Sequence, residues 1–150
     1  MAQSHEIFEI YKLYVEMADR ISQRRQTANS FFLSVTTALL GLSGYLHAAT
    51  EPSHYAPLGI LSFAGLIISY MWHRAIRSYK ELNDAKFKVI HEMEKSLPFQ
   101  PYEKEWRALG FGTDKNVYLP FTGIEKWVPW IFAFIFFISA ALSVIRLLGL

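Results

Sequence analysis

Three stretches of this 150-residue chain, 31–49, 56–72 and 127–145, contain no Lys, Arg, Asp or Glu and are dense in Leu, Ile, Phe and Ala. Each runs to roughly 17–19 residues, close to the ~20 that carry a helix across a hydrocarbon core of ~30 Å. The competing reading is a soluble bundle whose central helices are apolar all round, and the short second window keeps it open. Against it, "WVPWIFAFIFFISAALSVI" has no polar face, and a chain of this size has too little protein to bury such a helix on every side. Lipid can do so. Hydrophobic residues make up 52% of the chain and aromatics 16%, more than an ordinary soluble domain carries. The expected fold is therefore all-α, an integral membrane protein with three transmembrane helices.

About thirty residues of mixed charge precede the first window, and no convincing small-x-small cleavage site follows it, so it reads as a retained helix rather than a signal peptide. Cysteine is absent, which leaves no disulfide framework and no thiolate chemistry. Cations set the expected orientation. Lys12, Arg20, Arg24 and Arg25 precede the first window, the link "TEPSHYA" has none, and residues 73–126 carry most of the others. The positive-inside rule puts the N-terminus and the central segment in the cytoplasm, with the short link and the C-terminus outside. Arg24, Arg25, Arg74 and Arg77 are then inner-interface cations, snorkelling to headgroups. Acids nearly balance them, so no nucleic-acid stripe is present.

Ile7, Ile10, Tyr14, Met17 and Ile21 recur three and four apart, and neither Gly nor Pro separates them from Phe31. One long helix from about Glu6 into the first span is expected. A second rhythm, Ile76, Tyr79, Asn83, Lys86, Ile90, Met93 and Leu97, continues the second span until Pro98 and Pro101. A helix over 57–97 would measure about 60 Å at ~1.5 Å per residue, twice the membrane core. Two striped helices leaving the bilayer on one side should pack as an antiparallel hairpin, with Ile10, Tyr14, Met17, Ile21, Tyr79, Ile90 and Met93 in its seam. The organisation reads as a cytoplasmic amphipathic helix over 1–30, transmembrane helices 1 and 2 over 31–72, a cytoplasmic helix and ordered loop over 73–126, and transmembrane helix 3 over 127–150. Within the loop, 102–109 forms a short amphipathic helix stopped by Gly110, while Phe111, Tyr118, Leu119 and Phe121 are too apolar for a free linker. Loop and hairpin together are the candidate ligand-binding region.

Catalytic signals are thin, and no enzyme, cofactor or metal is expected. "HEMEK" at His91 opens like a zinc-protease motif but has Lys95 where the second imidazole belongs. His47 and His54 flank the outer link and read as interfacial polar residues rather than a metal pair. "GFG" at 110–112 lacks the strand, the lysine and the spacing of a phosphate loop.

The spans say more. Ser30, Ser34, Thr37, Gly41 and Gly44 fall four, three, four and three apart and line one side of the first helix. The opposite side carries Phe31, Val35, Leu39, Leu42 and Leu46. Small residues allow close helix contact, and their hydroxyls bond across an interface; the same stripe would also suit a water-filled path. Gly65 and Ser69 on the second span, with Ser139 and Ser143 on the third, form matching small faces. Arg146, near the outer end of the third span, either snorkels or contributes to an anion-favouring ring at an outer mouth.

The stretch "YKLYVEMADRISQRRQTANSFFLSVTTALLG", with its Arg-Ile-x-x-Arg-Arg run entering a membrane helix directly, resembles the SLATT group of small bacterial membrane proteins, and "IRSYKELNDAKFKVIHEMEKSLPFQPYEKEW" is similar to small proteins of this type. The third span departs from that group's two-helix core. The resemblance implies an effector in bacterial antiviral or conflict systems, in the inner membrane, often beside a nucleotidyltransferase, that permeabilises the membrane when a nucleotide signal or partner arrives. Channel effectors of Hailong-type defence are similar in outline. Two functions follow as expectations: a homo-oligomeric gated pore controlled through its cytoplasmic region, or a non-conducting membrane anchor or scaffold that recruits a cytoplasmic partner.

Overall fold

The computed structural model describes residues 2–48, 55–112 and 121–148. The described residues are helical throughout their regular elements, with no strand among them. Helix α1 runs over Ala2–Ala48, α2 over Tyr55–Glu94, α3 over Pro101–Ala108, α4 over Phe121–Glu125 and α5 over Val128–Leu147, with a 3₁₀ turn at Gly110–Gly112. The all-α membrane fold expected from the sequence is the fold observed. Three helical stretches are long and apolar enough to cross a membrane, and at most 28% of the apolar window in each is buried within the chain itself. Phe31, Ile60, Phe63, Phe134 and Phe137 are all more than half exposed. Their cover comes from outside the chain.

Helix boundaries follow local chemistry. No proline interrupts α1 and no glycine precedes Gly41, so nothing breaks it between the charged and the apolar halves. α2 carries Pro57 in its first turn, where a missing N–H leaves no orphan. Its end tightens: the amides of Lys95, Ser96 and Leu97 each donate to the carbonyl three residues back, and Pro98 then forbids continuation. Trp127 precedes α5, whose Pro129 again occupies the first turn.

The chain divides into two compact units, Met1–Gln26 with Arg77–Ile124, and Thr27–Ile76 with Glu125–Leu150. The first unit is a helical hairpin with α3 packed on it. Tyr11 meets Glu94 and Met17 meets Lys86, so α1 and α2 run antiparallel there. Its core is Tyr11, Ala18 and Ile90, with Tyr14, Val15, Phe87, Met93, Leu97 and Tyr102 packed against them.

The second unit holds the three apolar spans. On α2 the buried face is Leu58, Ser62, Gly65, Ser69, Trp72 and Ile76, a run of four-three spacings that keeps one seam toward its neighbours as in coiled coils. On α5, Pro129, Phe136 and Ser143 are buried seven apart. The two seams interlock. Gly65 makes room for Phe136, whose ring would lie 2.5 Å from any added Cβ, and Ser62 donates to Ser139 at 2.8 Å. Ser143 donates to the Tyr55 carbonyl and faces Gly59. Small residues are what allow the two backbones to approach so closely. α1 joins through Trp72, whose indole stacks on Phe32 at 6.1 Å, tilts against Phe132 at 6.0 Å, and donates to Asn29 at 2.9 Å.

Candidate functional site

In the hairpin unit the most constrained group is Glu94, a carboxylate with no exposed surface. A buried carboxylate is tolerated only where donors surround it, and three do. The Tyr11 hydroxyl donates at 3.0 Å, the Tyr102 amide at 2.9 Å and the Glu103 amide at 3.1 Å. Tyr102 and Glu103 lie in the first turn of α3, whose amides have no partner within that helix. Gln100, the residue before α3, makes no side-chain cap. Glu94 therefore caps α3 from the end of α2 and ties both to α1, a charge placed where the helix dipole favours it.

Beside this node lies a cavity of about 930 Å³ lined by residues of α2, α3 and the turn after it, the upper part of the ~300–1,000 Å³ range of ligand sites. Aromatic walls come from Phe87, Tyr102, Trp106 and Phe111; Lys88 and Lys95 bring cations, His91 an imidazole, and Asp84, Glu92, Glu103 and Glu105 acids. Phe111 is brought there by two successive left-handed residues, Gly110 at φ 62° and Phe111 at φ 55°. Such a conformation is uncommon for a bulky residue. Arg107 and then His91, both bonded to Glu103, hold its carboxyl below the usual carboxylate range. Burial first, then the charges of Glu105, Glu94 and Asp19, push the Tyr102 phenol up. The cavity can stack a ring and bond both donors and acceptors, and the buried Asn83 Oδ1 at its edge has no partner among the described residues.

The residues assigned to the hairpin seam are distributed over several environments: Ile21 and Ile90 are buried, Tyr14, Tyr79 and Met93 half-buried, Ile10 and Met17 exposed. Tyr11 and Ala18, which are buried, lie outside the stripe that the three-and-four spacing picks out. Trp106 and Leu109 line the cavity. Tyr118, Leu119 and His54 lie outside the described residues; His47 is exposed.

In the membrane unit, Ser30, Ser34, Thr37, Gly41 and Gly44 are all exposed, and a Cβ added at Gly41 or Gly44 would meet nothing within 4 Å. α1 packs inside the protomer through a different row, in which Thr36 and Ser43 are buried and Asn29, Phe32 and Leu39 half-buried. Thr36 and Ser43 satisfy their hydroxyls on the carbonyls of Phe32 and Leu39, at 2.7 and 2.8 Å. Of the larger residues, Val35, Leu39 and Leu46 are half-buried while Phe31 and Leu42 are exposed. The small stripe is thus a narrow, weakly polar strip left uncovered by its own chain. Ser34 donates to the Ser30 carbonyl at 2.8 Å, which lowers the cost of keeping it in an apolar setting.

The four cations expected at the inner interface differ in their surroundings. Arg24 and Arg74 are exposed, Arg25 is half-buried and engaged, and exposed Arg77 pairs with Glu81 at 2.8 Å. Arg146 lies over the Tyr55 ring at 5.5 Å. Sequence reasoning missed the polar node at the foot of the spans, where Asn29 accepts from Trp72 and donates to the buried Glu125. Its signal was an Asn just before the first apolar window and a Trp at the end of the second. Among the described residues no group of three His, Asp or Glu side chains converges to hold a metal ion.

No curated protein and no solved structure matches the chain. One family model does, that of the octameric membrane protein family (8xMP), over residues 8–145. The match takes in the hairpin and all three spans, and with it the chain belongs to the octameric membrane protein family.

Proposed function

We propose that this protein works as a ring of copies in the bacterial inner membrane, an effector that opens a path across the bilayer when its hairpin unit binds a ligand or partner. The carrying observation is the uncovered Ser30, Ser34, Thr37, Gly41, Gly44 strip in a chain whose family is named for an octameric assembly. Small and hydroxyl-bearing residues facing out of a membrane helix gain little from lipid and much from another helix. The reading places the N-terminus and the hairpin in the cytoplasm and the C-terminus outside, from the distribution of Lys and Arg. It assigns no catalytic step to the chain.

The cavity beside Glu94 is the receiving site in this reading. Its stacking walls and mixed charges suit a small ring-bearing signal such as a nucleotide, or a segment of a partner such as a nucleotidyltransferase. α1 is one continuous helix from Ala2 to Ala48, so a shift at its hairpin end is carried into its apolar half. The resemblance to SLATT proteins adds antiphage defence as the setting. Dye uptake and membrane potential in cells expressing the protein test the proposal. Leak is expected under an activating condition such as phage infection. Intact barriers under every such condition, in cells where membrane insertion is confirmed, would overturn it and favour a non-conducting scaffold.

A further inference from the structure

A patch that meets only its own copy closes a two-fold dimer, so a ring of more than two copies needs two different patches that fit each other. This inference rests on the ring reading above and supplies the second patch. A cavity of about 210 Å³ opens on the α2–α5 seam, lined by Leu66, Ser69, Tyr70, His73, Pro129 and Trp130 among others. Ser69 is 1% exposed, yet its hydroxyl, like the buried Nδ1 of His73, has no hydrogen-bond partner among the described residues. Two unmet polar atoms in an apolar pocket are unfavourable unless something arrives to bond them.

Depth identifies what arrives. α1 and α2 form an antiparallel pair in the membrane unit, joined by a short link beyond Ala48 and meeting where Trp72 contacts Asn29 and Phe32. Counting from that level, Ser69 stands at the height of Ser34 and His73 at the height of Ser30. Copies inserted in one orientation around an axis along the bilayer normal keep every residue at its own depth. Ser30 and Ser34 are exposed and four apart; Ser69 and His73 are four apart on α2. Donor and acceptor roles also match. Ser34 donates its hydrogen bond to the Ser30 carbonyl and retains acceptor lone pairs, whereas the Ser69 hydroxyl has a proton without an acceptor.

We infer that the Ser30–Ser34 edge of one protomer seats in the Ser69–His73 pocket of the next, so that every interface in the ring pairs α1 with a neighbour's α2 and α5. The chain has no cysteine, which allows a direct test on the full-length protein in membranes. Ser34→Cys combined with Ser69→Cys is oxidised and run without reductant, beside each single variant and Ser30→Cys with His73→Cys as a second pair. The expected result is a ladder from dimer upward for the double variants and no ladder for the singles. Cross-linking by Ser34→Cys alone, or a bond formed only within one chain, would overturn the inference. So would the absence of cross-links from both pairs in a particle whose mass is that of an oligomer, and that outcome would leave the ring reading standing. A particle with the mass of one chain would remove both.

Discussion

The Glu94 carboxylate accepts the phenolic proton of Tyr11 at 3.0 Å across 83 residues of chain, and the same carboxylate caps the first turn of α3. One buried charge therefore joins three helices. Glu94→Ala leaves the Tyr11 hydroxyl and two helix amides without their acceptor, and should destabilise the hairpin unit by about 3 kcal/mol. Tyr11→Phe removes one of three donors and should cost about 1 kcal/mol. Hydrogen exchange separates them: the Tyr102 and Glu103 amides should lose protection in Glu94→Ala and keep it in Tyr11→Phe.

Acid should act on α3 through Glu103. Its carboxyl is held low by Arg107 and His91, and a depressed folded value means that the stabilisation is present above the ordinary carboxylate value of about 4.3 and lost as pH falls through the folded value. Trp106 emission should show an acid limb below about pH 4 that follows Glu103. Glu103→Gln should flatten that acid limb. Because Arg107 is exposed, salt should weaken the effect.

Gly65 and Phe136 are a matched pair. Gly65→Ala puts a methyl group where the ring lies, and overpacking of this kind costs about 1–3 kcal/mol. Phe136→Leu in the same chain should return part of the loss, a non-additivity expected of residues in contact. Thermal unfolding of the detergent-solubilised protein, followed by circular dichroism, measures both.

Thr36 and Thr37 are adjacent in sequence and opposite in exposure. Thr36→Val keeps the shape of a buried side chain whose hydroxyl bonds only its own helix, and should change stability by less than about 1 kcal/mol. Thr37→Leu should leave the protomer's helicity unchanged while shifting the particle to lower mass. Loss of conductance with an intact oligomer would instead assign that strip to the wall of the path.

The spans and the long helices were legible because hydropathy and the absence of helix breakers are strong local signals. Ser30, Ser34, Thr37, Gly41 and Gly44 were readable as a stripe for the same reason: five small residues on one face leave a periodic trace. The Glu94 node was not. Nothing in "HEMEKSLPFQPY" announces that the fourth residue turns inward, because the donors that permit it come from Tyr11 and from amides beyond Pro101. Seam register in the hairpin was blurred likewise. Tyr11 and Ala18 occupy buried positions while Ile10 and Met17 stand outside, so at those two turns the count of apolar residues falls one residue short of the packed face, although it meets that face at Tyr14 and Ile21.

The assembly is read from the mass of the particle extracted gently from membranes, by native mass spectrometry with its lipid and detergent removed. Eight copies of the 17.3 kDa chain are predicted, held through a strip that lies uncovered in the single protomer. A particle of one chain, stable and fully helical, would contradict it.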